Sequence, residues 1–314
     1  MKKFIVALMI TAMTAIAMVG CGDSGTNNNT DTQAYGDTTE DAGKDTDEES
    51  SNKDTEGSGV SGAISVISRE DGSGTRGAFI ELFGIEEKDA DGNKTDRTTE
   101  EAVIANSTEI VLSNVAGDPN AIGYVSLGSL NDKVKALKID GSEATVENIK
   151  NGTYKISRPF NIATNGTPSE AAQDFINFIL SKEGQAVVED KGYIASVDHA
   201  ESYTASGASG KVVIAGSSSV TPVMEKLKEA YEEINSDIEI EINPSDSSSG
   251  LQSAMDGTAD IGMASRELKD SESSLSATVI AIDGIAVVVN NENSAEDMTA
   301  DDVKAIFTGE KTSW

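Results

Sequence analysis

Cysteine is nearly absent. Cys21 is the only one in 314 residues, so no intramolecular disulfide can form. Histidine is equally scarce: His199 alone cannot build a His-rich zinc site and argues against a Ser-His-Asp triad. Neither a G-x-x-x-x-G-K-[ST] run nor a G-x-S-x-G run occurs, so the nucleotide loop and the nucleophile elbow are missing. Positive charge is short as well. With 24 Lys and Arg against 54 Asp and Glu the chain carries −30, which argues against nucleic acid or an anionic membrane surface as its ligand. No apolar run reaches the ~20 residues that a spanning helix needs.

The longest apolar run, Phe4 to Val19, follows Lys2 and Lys3 and ends at Gly20-Cys21, the pattern of a secretory signal. A cysteine in that place resembles a bacterial lipobox, with Met18 where leucine is usual; an incidental signal-peptide cysteine is the alternative. The resemblance implies a signal peptide over 1–20, acylation at Cys21, and a protein lipid-anchored on the extracytoplasmic face of the cell membrane. Residues 22–60 hold eleven acidic side chains against Lys44 and Lys53 and almost nothing apolar. Such a stretch cannot offset its chain entropy by burial, so residues 21–60 read as a disordered acidic tether, an acidic interaction tail being the other reading. The remainder is still acidic, at a net −23 once the tether and the two leading lysines are set aside.

From Val60 onward short β-rich runs alternate with helical ones, the pattern of an α/β fold. Strands are expected at 63–68, 211–215, 237–242, 259–264, 278–282 and 285–290. Helices are expected at 167–192, 221–234 and 299–309, each with a threonine at its N-cap: Thr167, Thr221 and Thr299. Thr167-Pro168-Ser169-Glu170 adds a proline for the first helical position and a glutamate three residues after the cap.

Three Gly- and hydroxyl-rich stretches share one place, after a strand and at the start of a helix: "REDGSGTR" (69–76), "GSSSVTP" (216–222) and "DSSSGLQ" (246–252). The first N–H groups of a helix lack internal partners and the positive dipole end faces out, so an anion is favoured there. Each stretch alone is common helix capping. Three of them at the carboxyl ends of strands could converge on one cleft around a tetrahedral oxyanion. Arg69 would supply a fixed charge and a planar donor fork, and Asp71 could orient it or accept a ligand proton; a surface ion pair is the plainer alternative. Short-range donors in a low dielectric outweigh the diffuse negative charge, which salt screens beyond ~8 Å.

These stretches, with "ADIGMASREL", "PNAIGYVSLGSL", "FINFILSKEGQAVVEDKGYIA" and "MTADDVKAIFTGEKTSW", resemble the phosphate-binding protein of the high-affinity phosphate ABC transporter from about residue 61 to 314. The motif order departs from that family: residues 211–314 hold its first half and 62–200 its second, as in a circular permutation, with 201–211 as the linker between the old ends. The resemblance implies a two-lobed periplasmic-binding-protein-like (type II) α/β fold with a two-stranded hinge. One lobe would be 62–159 plus 282–314, the other 160–281. It further implies phosphate binding by Arg69, Asp71, Ser73, Gly74 and Thr75 from one lobe, and by Ser219, Val220, Thr221, Ser247, Ser248 and Ser265 from the other. Ser265-Arg266 stands where one variant of the family has a proton-accepting aspartate. The expected partners are inorganic phosphate and the permease subunits of an ABC transporter, for a monomer with no metal or cofactor and no enzymatic activity. Another oxyanion (sulfate or molybdate), a phosphate-ester hydrolase and a cell-surface interaction protein are the competing readings. Trp314, the sole tryptophan, is expected to be an apolar plug and not a ligand contact.

Overall fold

The computed structural model describes residues 60–314. The expected signal peptide, the acylated Cys21 and the acidic tether up to Gly59 lie outside the described residues. Among the described residues no helix is long and apolar enough to cross a membrane.

The chain forms a mixed sheet of ten strands with helices packed against it. The path across the sheet runs Ile238–Ser245, Gly210–Ser217, Ile261–Ala264, Ser157–Asn165, Leu275–Asn290, Ala121–Ser126, Ser65–Arg69 and Val103–Ala105. Towards each end the strands are parallel: Gly210–Ser217 lies parallel to both of its neighbours, and so does Ser65–Arg69. The middle is antiparallel, built by Ser157–Asn165 and Leu275–Asn290 against each other. Parallel strands need covering crossovers, which places helices after them and opens helix N-termini at their carboxyl ends.

Buried apolar side chains separate along the same axis. One cluster is drawn entirely from Phe160 to Ala281, with Phe175, Phe178, Met224 and Tyr231 at its centre. Two others combine residues 66–156 with residues 285–307, and the larger holds Phe79, Tyr124 and Phe307 in mutual contact. Leu275–Asn290 crosses between them, pairing with Ser157–Asn165 at one end and Ala121–Ser126 at the other.

Two expectations change here. The strands read at 278–282 and 285–290 are one strand of sixteen residues, Leu275–Asn290, with a register shift between Val279 and Ala281. Asp283 interrupts the apolar pattern but not the backbone, because the guanidinium of Arg158 meets it inside the protein. The helix read at 167–192 is two, Glu170–Leu180 and Lys182–Asp190. Ser181 between them is extended, and its hydroxyl accepts from Gly184 N at 3.2 Å to cap the second helix.

The caps differ in part. Ser169 caps Glu170–Leu180 in place of Thr167, accepting from Ala172 N. Val220 is the cap residue of Thr221–Glu232, while Thr221 Oγ1 donates back to Ser217 O at 3.1 Å. Thr299 caps Ala300–Phe307 as read. Residues 62–64 and 312–314 lie side by side: Ile64 N donates to Thr312 O at 2.9 Å and Trp314 N to Gly62 O at 3.1 Å. Trp314 is half-buried and its Nε1 donates to Asn120 O at 3.0 Å.

Candidate functional site

The three stretches singled out in the sequence open helices, as their composition dictates. Ser73 caps Gly74–Leu82 by accepting from Arg76 N, and Asp246 caps Ser247–Met255 by accepting from Ser249 N. A fourth junction joins them: Ser107 caps Thr108–Gly117 just after the strand Val103–Ala105. The starts of all four helices meet. Ser219 Oγ, one residue before the cap of Thr221–Glu232, lies 2.8 Å from Thr75 Oγ1 and 2.9 Å from Thr108 Oγ1. Ser265 Oγ receives Ser217 Oγ at 3.0 Å and stands 3.3 Å from Thr75 Oγ1 and 3.4 Å from Ser247 Oγ. Thr75, Thr108, Ser217, Ser219, Ser247 and Ser265 are all buried, so six hydroxyls share a space that water scarcely reaches.

Two arginines border this space. Arg69, 2% exposed, donates Nε and Nη2 to the two carboxylate oxygens of Glu70 at 2.8 and 2.7 Å. Its remaining contacts go to Ala105 O, Thr108 Oγ1 and Ser218 Oγ. The Tyr124 hydroxyl accepts from Arg69 N at 3.0 Å, and burial pushes that phenol above its ordinary range. Arg158 approaches from the middle strands. It donates Nη1 to Asp283 Oδ2 at 2.5 Å and to Gly284 O, Nε to Ser265 O, and Nη2 to Thr75 Oγ1 at 3.0 Å. Burial pushes the Asp283 carboxyl up and the Arg158 guanidinium down, while their attraction opposes both shifts.

The two sides also touch through backbone. Ser248 N and Oγ both donate to Gly72 O at 3.2 Å, and Arg266, itself paired with Glu272, donates Nη2 to Ser248 Oγ. Gly74 is a close approach beside the hydroxyls: a Cβ there would stand 2.5 Å from Ser247 Oγ and 2.8 Å from Ser265 Oγ.

Of the residues read from the sequence, Arg69, Ser73, Gly74, Thr75, Ser219, Val220, Ser247 and Ser265 stand at or beside this cluster and are buried. Thr221 turns its hydroxyl back onto Ser217 O, and Ser248 is half-buried at the rim. Asp71 is not brought in. Its side chain is 96% exposed and pairs with Arg76 at 2.9 Å. Thr108, Ser217, Arg158 and Asp283 escaped the sequence reading. "ANSTEIV" (105–111) has the same strand-to-helix pattern as the three stretches that were noticed; nothing local marks Arg158. Among the described residues no group of three or more His, Cys, Asp or Glu is placed to hold a metal ion.

Helix N-termini gathered at the carboxyl ends of parallel strands, on both sides of one crossing pair, define a binding protein of the solute-receptor type. The chain belongs to the PBP superfamily, matching the PBP superfamily domain over residues 31–183 and 201–314. It is 62% identical over 256 residues to "Phosphate-binding protein PstS 2" of Streptococcus agalactiae, covering 81% of this chain and 87% of that protein. The crystal structure of a phosphate ABC transporter, phosphate-binding protein from Streptococcus pneumoniae TIGR4 is 50% identical; the match has a TM-score of 0.64 and covers 81% of this chain and 98% of that one. "Phosphate-binding protein PstS" of Bacillus subtilis is 32% identical over 139 residues, 43% of this chain and 42% of its own.

Proposed function

We propose that this protein captures inorganic phosphate between two lobes and delivers it to an ABC transporter. The observation that carries the reading is the buried cluster of six hydroxyls, four of them at helix starts, bordered by Arg69 and Arg158. A tetrahedral oxyanion offers acceptors in every direction, and this cluster offers hydroxyls from both sides with two guanidinium edges at its border. Arg69, Ser73, Gly74 and Thr75 would bind from the lobe 62–159 plus 282–314. Ser219, Val220, Ser247 and Ser265 would bind from the lobe 160–281, with Thr221 and Ser248 at the edge. The two sets of apolar clusters support that division, and Ser157–Asn165 with Leu275–Asn290 would be the two-stranded hinge. The names of the streptococcal relatives support phosphate as the ligand.

The permuted motif order is part of this reading. The neighbouring backbones of 62–64 and 312–314 suit it, since old chain continuity there would need no rearrangement. So does the contrast between the streptococcal match over 256 residues and the Bacillus match over 139, because permuted chains align in line over only one piece.

A hydrolase fits less well. The hydroxyls face one another and arginines, and His199 sits in an exposed left-handed turn at φ 59°, away from them, where it is not placed to activate a nucleophile. We further read the protein as a monomer anchored at Cys21 outside the membrane. Metabolic labelling with fatty acid that survives in Cys21→Ala would remove the anchor.

Calorimetric titration of the ligand-stripped full chain with phosphate, sulfate and molybdate tests the function. Tight one-to-one phosphate binding without turnover is expected. Sulfate or molybdate binding more tightly than phosphate would transfer the reading to that anion, and no binding of any of the three would end it.

A further inference from the structure

Arg158 belongs to neither set of residues that the helix starts contribute. It lies near the beginning of Ser157–Asn165, directly across from Asp283 in the antiparallel register with Leu275–Asn290. Both residues are almost fully buried, at 4% and 1% exposure. A buried ion pair of this kind is a poor source of stability, because taking two charges out of water costs about as much as their attraction returns. Its placement against the hydroxyl cluster gives it another use.

The guanidinium has donors and no acceptor. Three of its contacts, to Asp283, Gly284 O and Ser265 O, hold it where the strands cross. The fourth reaches the helix Gly74–Leu82, where Nη2 donates to Thr75 Oγ1 at 3.0 Å. Thr75 Oγ1 must accept that bond, so its single proton points elsewhere, towards the space it shares with Ser219 and Ser265. Arg69 treats Thr108 likewise on the other border, through Nη1 at 3.3 Å. Ser219 lies within reach of both threonines, so an anion in this space would take over from Ser219 as the acceptor of their protons. Each arginine thus turns an ambivalent hydroxyl into a committed donor.

We propose that Arg158 is a positioning residue of the phosphate site: anchored by Asp283 at the strand crossing, it fixes the Thr75 hydroxyl as a donor to the anion. The inference rests on the phosphate reading above. It assigns the site a second arginine that acts through a neighbour, and it ties the ligand to the two strands that join the halves of the molecule.

The test is phosphate calorimetry on the full chain, with thermal melts in parallel. Arg158→Gln with Asp283→Asn removes both charges and leaves none stranded. It is expected to weaken phosphate binding on the order of tenfold or more, the size of one hydrogen bond from a committed donor to a charged group. Thr75→Val should weaken binding comparably. Combining all three changes should cost no more than about twofold beyond Thr75→Val alone, because Arg158 works through that hydroxyl. A purely structural pair would lower the melting temperature and leave the coupling in Kd at zero. Should the double variant fail to fold, Arg158→Lys keeps the charge beside Asp283 but lacks the planar fork. It is expected to melt near wild type and bind phosphate at least about fivefold more weakly, since it loses the geometry that reaches Thr75. Binding within twofold of wild type in the double variant, or in Arg158→Lys when the double variant does not fold, overturns the inference, as do additive losses in the triple variant. Wild-type protein that binds no phosphate removes the functional reading itself, and this inference with it.

Discussion

Glu70 grips its neighbour Arg69 with both carboxylate oxygens, at 2.8 and 2.7 Å, while Asp71, one residue on, faces solvent. The orientation of the arginine fork is therefore set by the residue that the sequence pattern passed over. Glu70→Gln keeps the shape but loses the charge that holds the fork, and should weaken phosphate binding about tenfold. Asp71→Asn should change it by less than about twofold, as exposed ion pairs contribute little. Titration calorimetry of the two variants side by side separates the two carboxylates; equal losses would put Asp71 back in the site.

Gly74 admits no side chain where the two sides of the cluster meet. Gly74→Ala would drive a methyl group against Ser247 Oγ and Ser265 Oγ, at 2.5 and 2.8 Å before any relaxation. The clash can be relieved by moving the sides apart, so folding should survive while binding suffers. A loss of phosphate affinity on the order of a hundredfold, with a melting temperature near wild type, is the expected result.

Asp174 ties the segment after residue 200 to the helices beneath it. Tyr203 and Tyr231 each donate to its Oδ2 at 2.5 Å, and Ser206 N donates to Oδ1 at 3.1 Å. Burial works against the ionised carboxylate, but these donors prevail and hold its pKa below the ordinary 3.8; the Tyr203 phenol, through burial and this same bond, is pushed up to about 12. A depressed carboxyl pKa stabilises the fold above the unfolded value, and that contribution fades as pH falls through the folded one. Asp174→Asn should therefore destabilise the protein by about 2–3 kcal/mol at pH 7. The gap from wild type should close as melts are taken below about pH 4. A gap independent of pH would place the effect in packing instead.

Trp314 sits at the far end of the strand whose other end carries Arg69. Its Nε1 bonds Asn120 O, and Asn120 O also accepts from Ser65 N, so the indole is separated from the cluster by most of Ser65–Arg69, roughly 13–16 Å. Tryptophan emission should shift on unfolding and stay within a few per cent of its starting value during a phosphate titration. A large change on binding would mean that the chain ends take part in closure.

The helix-opening stretches were legible because their chemistry is local: a cap, a glycine and a run of hydroxyls sit within a few residues of Thr75, Ser219 or Ser247. The fold class followed from strand and helix periods of the same short range. Thr108 was equally legible in "ANSTEIV" and was passed over only because it has no glycine nearby. Arg158 and Asp283 were not legible at all. They lie 125 residues apart and meet through strand register, which no local pattern encodes. The same pair explains why Leu275–Asn290 looked like two strands: an aspartate in an apolar run reads as a break unless its cation is known. Glu70 and Asp71 could not be ranked either, since which of two adjacent carboxylates turns inward depends on the direction of a loop.

The apolar cluster from Phe160 to Ala281 is complete within one uninterrupted stretch of chain, whereas the clusters around Phe79 and Val111 wait for Ile285 to Phe307. During synthesis the first of these can close as soon as its own residues have emerged. The other must hold Ala121–Ser126 without its partner strand Leu275–Asn290 while more than a hundred intervening residues are made, a long loop to close and an edge to keep covered. The interior segment 160–281 can thus set before the two segments that flank it, 62–159 and 282–314, have met.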